Sequence, residues 1–190
     1  MTSRNSSWKS DFAAGASGPE TEEIKRTTEF GNRRGPIPLL PAGKDYLWGG
    51  RRLRDDFSKD IPLTPLAETW ECSTHPDGLS LLAEDPDKTL HELLQENPWM
   101  FGTHPAKSMP EAVKKGELPV LIKFIDAASD LSVQVHPDDA YAREHENGQL
   151  GKSEMWYVVD AAPGAKLVYG FSHDMDRERV REAAQNGTLE

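Results

Sequence analysis

Residues 131–136 read Leu-Ser-Val-Gln-Val-His, an unbroken alternation of apolar and polar side chains. Side chains two apart in a strand share a face, so Leu131, Val133 and Val135 point one way and Ser132, Gln134 and His136 the other. A period of two fits a sheet with one face against a core and does not fit an amphipathic helix. The polar face is unusual in content, because a solvated face more often carries Lys, Glu or Thr than a hydroxyl, an amide and an imidazole in a row. On this segment alone, a satisfied polar face and a ligand-bearing face both remain open.

Similar segments surround it. Leu118–Asp126 and Asp130–His136 read as two strands in a tight antiparallel connection, and Ser153–Asp160 and Ala165–Phe171 as a pair about the turn Ala162-Pro163-Gly164. Upstream, Ile37, Leu39 and Leu40 begin a short apolar strand, and Gly43, Gly49 and Gly50 punctuate a turn around Tyr46-Leu47-Trp48. Ala67–Ser73 and Leu79–Ala83 read as a hairpin through His75-Pro76-Asp77-Gly78. Helical spacing with start and stop signals falls at Asp87–Leu94, Met109–Lys115, Ala140–Asn147 and Asp176–Asn186. The expectation is a mainly β domain over residues 36–190 with short surface helices. Residues 1–35, rich in Ser, Gly, Glu and Arg without periodic apolar positions, are expected to form a disordered leader. The chain stops at Glu190, directly after the last helical segment, and truncation is expected there.

Composition narrows the partners. A net charge of -10 without a clustered basic stretch argues against nucleic acid. It leaves room for a phosphorylated small molecule, since a few local Lys or Arg residues hold one phosphate. No apolar run approaches the roughly 18 residues of a membrane-spanning helix, and the N-terminus has no secretory hydrophobic stretch. With a single cysteine, Cys72, a cytoplasmic protein is expected.

In the segment from Gly151, Lys152, Glu154, Trp156 and Val158 share a face. Taken alone, an ordinary charge pair at a hairpin mouth explains Lys152 and Glu154. In combination with the 131–136 segment, the set reads differently, because an imidazole nitrogen, a carboxylate and an amide oxygen suit a borderline cation. Gln134, His136 and Glu154 are therefore read as three ligands of one divalent metal, zinc, with a position open for water or substrate. Lys123 interrupts the apolar run Leu121-Ile122-Lys123-Phe124-Ile125, where an ammonium needs an anion nearby. Either Lys123 snorkels to solvent or pairs with Asp126 or Asp130, or it meets a substrate phosphate or carboxylate. Trp48, among glycines, walls a sugar pocket or simply packs. His75, His91, His104, His145 and His173 fall in expected turns or surface helices and read as solvated.

The segments Leu118–Asp126, Leu131–Asp139 and Gly151–Tyr157, together with Tyr46-Leu47-Trp48-Gly49-Gly50 and Ala67-Glu68-Thr69-Trp70-Glu71, resemble type I mannose-6-phosphate isomerases from about Pro38 onward. The resemblance implies a cupin-type (jelly-roll) β-barrel, one zinc ion per chain, and interconversion of mannose 6-phosphate and fructose 6-phosphate. It further implies Gln134, His136 and Glu154 as metal ligands, Lys152 as an active-site lysine, Trp48 as a pocket tryptophan, and Lys123 and Ser132 as phosphate-binding positions. The family's second histidine ligand and catalytic arginine have no matching motif before Glu190. Two alternatives stay open: a catalytically silent sugar-phosphate or metal-binding module, and an iron-dependent cupin oxygenase. Gln134, where a second histidine is needed, counts against the oxygenase.

Overall fold

The computed structural model describes residues 35–188; apart from Gly35, the expected leader lies outside them. The chain divides between Asp130 and Leu131 into two compact units.

Among its described residues the first unit holds two three-stranded antiparallel sheets. One orders β1 (Leu39–Leu40), β4 (Leu81–Leu82) and β5 (Asp85–Thr89); the other orders β2 (Ala42–Lys44), β3 (Glu68–Cys72) and β6 (Ile122–Ile125). In the second sheet Lys44 faces Glu68, and Trp70 faces Lys123. Strand β3 therefore carries Glu68 and Trp70 on one face and Thr69 and Glu71 on the other. The core is built where short helices cover the first sheet: Leu82, Leu90, Leu93, Leu94, Phe101 and Val113 cluster, with Ile37, Leu39, Cys72, Met100 and Leu118 against them.

Two expected elements take a different form. The 75–78 turn is present, with the Gly78 N–H donating to the His75 carbonyl at 2.9 Å, but β3 and β4 do not make a hairpin ladder. Buried Ser80 takes the Ser73 N–H on its hydroxyl and donates to the Trp70 carbonyl. Beyond that link the strand pairs with β1 and β5, which carries fully buried Leu82 into the core. The helix expected at 87–94 instead spans Leu90–Glu96, because Thr89 is its N-cap and the residues before it are strand. The Thr89 hydroxyl accepts the Glu92 N–H at 3.1 Å while the Glu92 carboxylate accepts the Thr89 N–H at 2.8 Å, a reciprocal capping box.

Thr89→Ala is expected to cost about 1 kcal/mol in chemical denaturation, the usual value of such a cap. The Thr89 backbone and side-chain hydrogen bonds hold the Glu92 carboxyl below its ordinary range. Its contribution is therefore complete above the unfolded-state pKa and lost as pH falls through the lower folded value. The T89A difference should shrink correspondingly in acid, and a difference independent of pH would contradict the carboxylate's part in the cap.

Among the described residues the first unit's α-helices are α1 (Arg52–Asp55), α2 (Leu90–Glu96), α3 (Thr103–Ser108) and α4 (Pro110–Lys115), and the second unit's are α5 (Asp139–His145) and α6 (Arg177–Asn186). Asp138 and Asp176 cap α5 and α6 by accepting the N–H groups of Tyr141 and Arg179, and Gly187 ends α6 in the left-handed region at φ 66°. The turn at 162–165 forms as expected. The strands expected at 130–136, 153–160 and 165–171 do not: no ladder engages them among the described residues. Alternation fixes which side chains share a face, but a strand exists only where a neighbour supplies the ladder. The apolar face expected from Val133 and Val135 is correspondingly exposed, Val135 by 84%. Among the described residues the architecture is mixed, with two small antiparallel sheets and short helices, and no closed barrel is formed by them. No helix among the described residues is long and apolar enough to cross a membrane.

Candidate functional site

In the first unit, Trp48 sits on a loop fastened to the end of β6. The Gly50 N–H donates to the Asp126 carbonyl at 3.1 Å, and the Trp48 carbonyl accepts from Ala128 at 2.9 Å. The Asp126 carboxylate also accepts the Arg52 N–H at 2.7 Å, so it anchors the start of α1. Glycine is required at Gly49 for space, since a Cβ there would lie 2.4 Å from the Ala67 Cβ and 2.5 Å from its Cα, while one on Gly50 would meet the Asp126 carboxylate at 2.3 Å and push that side chain aside. Trp48 is half-buried and stacks on Tyr46, ring centroids 5.5 Å apart.

Lys123 finds its anion within the chain. Neither Asp126 nor Asp130 pairs with it; the partner is Glu68, whose Oε1 accepts from the Lys123 ammonium at 3.0 Å. The other Glu68 oxygen accepts the Trp70 indole N–H at 2.7 Å. Glu68 is buried, and its charge reaches Tyr46: burial first, then Glu68, Asp77 and Asp45, push the Tyr46 hydroxyl up from its ordinary range. Trp70 is further held by the Lys44 ammonium over its ring at 4.3 Å and by His75 edge-on at 5.7 Å. Residue type alone does not single out Glu68. Alternation puts one carboxylate on each face of Glu68-Thr69-Trp70-Glu71, and only the register of β3 against β6 sets the Glu68 face beside Lys123.

In the second unit, three expected residues meet. The His136 Nε2 lies 3.0 Å from Glu154 Oε2, and the Lys152 ammonium 2.8 Å from Glu154 Oε1. Trp156 adds an indole N–H to Glu154 at 3.3 Å. Burial pushes the Glu154 carboxyl up, but hydrogen bonds from Lys152, Trp156 and His136, with the Lys152 charge, outweigh it and hold the group at about 2. Ser132 and Gln134 pair with each other, the amide nitrogen donating to the hydroxyl at 2.9 Å, and no hydrogen bond among the described residues joins Gln134 to the His136–Glu154 pair.

A backbone crossing sets this geometry. The Lys152 N–H donates to the Pro137 carbonyl at 3.0 Å, and the Gly151 N–H to the Asp139 carboxylate at 2.9 Å. A Cβ on Gly151 would meet the Asp138 carbonyl carbon and the Asp139 nitrogen, each at 2.5 Å. Two segments that form no ladder are thus clamped between His136 and Lys152, which brings the imidazole to the carboxylate. Gly151 and Asp139 carry this positioning, and neither is marked out by residue type or spacing.

Among the described residues no group of three His, Cys, Asp or Glu side chains is placed to hold a metal. The donors that are together nevertheless have the right chemistry: an imidazole nitrogen and an ionised carboxylate oxygen in contact, with an amide-bearing residue two positions before the histidine. A cation there would replace the contact between Nε2 and Oε2, and the Gln134 amide bonds Ser132 through its nitrogen, which leaves the amide oxygen to serve as a ligand.

The catalytic-domain model of type I phosphomannose isomerase matches residues 37–160. Mannose-6-phosphate isomerase of Streptococcus mutans is 45% identical over 154 residues, which cover 80% of this chain and 45% of that protein. Mannose-6-phosphate isomerase ManA of Bacillus subtilis is 39% identical over 137 residues, 71% of this chain and 40% of that one. The crystal structure of a mannose 6-phosphate isomerase from Bacillus subtilis superposes with a TM-score of 0.53 at 42% identity, over 62% of this chain and 35% of that one. The chain thus spans less than half the length of these relatives. With the matched span containing the 131–139 and 151–157 segments and the Glu68–Lys123 pair, this chain belongs to the type I phosphomannose isomerase family.

Proposed function

We propose that this chain carries the metal-binding and phosphate-binding residues of a zinc-dependent aldose–ketose isomerase that interconverts mannose 6-phosphate and fructose 6-phosphate. The observation that carries the reading is the contact of His136 and Lys152 with one low-pKa carboxylate, Glu154, inside the span matched by the family's catalytic domain. The two small sheets are read as parts of a cupin-type barrel, in keeping with the similarity to the Bacillus subtilis isomerase structure.

Gln134, His136 and Glu154 would hold one zinc ion. When bound, zinc supplies a Lewis acid that draws negative charge onto the sugar's carbonyl and hydroxyl oxygens. Moving a hydrogen between adjacent carbons also needs a group that handles protons. That role is assigned to Lys152, a half-exposed residue whose ammonium is tied to Glu154 and which serves either by electrostatic stabilisation or by moving the proton itself. Lys123 and Ser132 are assigned to the phosphate, and Trp48, stacked on Tyr46, to the sugar wall.

The deciding experiment is conversion of mannose 6-phosphate to fructose 6-phosphate by the purified chain, after chelation and again after zinc is restored. Turnover that disappears with chelation and returns with zinc supports the isomerase. Because the chain spans less than half of its relatives, the second reading is a binding module without turnover, and saturable sugar-phosphate binding with no conversion would favour it.

A further inference from the structure

Glu68 is a buried carboxylate on the face of β3 that also carries Trp70, the residue the register sets opposite Lys123. Its two oxygens serve different partners, Oε1 taking the Lys123 ammonium at 3.0 Å and Oε2 the Trp70 indole N–H at 2.7 Å. The carboxylate cannot swing away from either, because the side chain is only 7% exposed and Trp70 is pinned on its other side by Lys44, His75 and Gly78. Lys123 is the more open member of the pair, its side chain 24% exposed. An ammonium has three donors, and one is committed to Glu68. The other two have no partner among the described residues.

A flexible lysine gives up rotamer freedom when it binds an anion, and prior tethering reduces that loss. We propose that Glu68 is a positioning residue for phosphate recognition: it fixes one Lys123 hydrogen so that the remaining two are presented to the substrate's phosphoryl oxygens. This rests on the reading of Lys123 as a phosphate-binding residue and goes beyond it, because the anchor is an acidic side chain that itself repels phosphate. Trp70, which shares the carboxylate, is the reporter of the arrangement. When the ammonium is drawn toward a dianion, the charge on Glu68 redistributes toward the indole bond.

The experiment titrates mannose 6-phosphate into the purified chain by calorimetry, and into 15N-labelled chain while following the Trp70 indole N–H resonance, assigned with W70F. In the wild type the resonance should move and saturate with the calorimetric Kd. Glu68→Gln keeps the volume and an acceptor but removes the charge, and is expected to weaken binding about tenfold, corresponding to about 1.4 kcal/mol. Glu68→Asp keeps the charge but withdraws it by one methylene, and should give a smaller loss; it replaces E68Q in the titration where E68Q does not fold. Wild-type or tighter affinity in the folded variant, or a Trp70 resonance that stays still while mannose 6-phosphate saturates, would overturn the positioning role alone. No binding by the wild type would overturn the phosphate reading of Lys123, and this inference with it.

Discussion

His136→Ala is expected to lower the zinc affinity of the chain by more than about a hundredfold, beyond the 10- to 100-fold loss typical of removing a group that only supports a ligand. The reason lies in the pair. The His136 Nε2 and Glu154 Oε2 are 3.0 Å apart, so deleting the imidazole leaves a carboxylate whose remaining partners, Lys152 and Trp156, are hydrogen-bond donors and cannot bind a cation. Competition with a chromogenic chelator measures the effect. Unchanged zinc affinity would remove His136 from the ligand set, and loss of affinity through Glu154→Gln but not H136A would move the site to a different group around that carboxylate.

Gly151→Ala is expected to reach the same site without touching a ligand. An added methyl would stand 2.5 Å from the Asp138 and Asp139 backbone, closer than any side chain tolerates, so the 151–152 segment must move. Moving it breaks the Lys152 N–H bond to Pro137 and the Gly151 N–H bond to Asp139, which together hold Lys152 and Glu154 against His136. Zinc affinity should fall at least about tenfold. The Trp70 and core resonances of the first unit, which is compact by itself, should remain in place. A variant that binds zinc as the wild type does would show that the crossing at Gly151 is not what aligns the pair.

Sequence pattern is informative wherever a side chain's own chemistry decides the outcome. The helices expected at 140–147 and 176–186 and the turn at His75–Gly78 are local, and the structure has them within one or two residues of those bounds. Strands are less legible because a ladder is a relation between segments. The alternation of Leu131–His136 separates Gln134 and His136 from Val133 and Val135, yet no neighbouring segment among the described residues pairs with it. The same distinction holds for the site. His136 and Glu154 are candidates from residue type and spacing, Lys152 from the family resemblance, and the structure brings the three into contact, whereas the Glu68 partner of Lys123 depends on the register of β3 against β6, and the role of Gly151 on a close backbone approach. Neither register nor approach distance is written in composition or periodicity.

The most direct test of the metal site is zinc content and zinc K-edge absorption of the wild-type chain after dialysis against zinc-containing buffer. One zinc per chain with a shell of nitrogen and oxygen ligands only, lost in H136A, is the expected result. No retained zinc, or a shell containing sulfur from Cys72, would contradict the assignment of Gln134, His136 and Glu154.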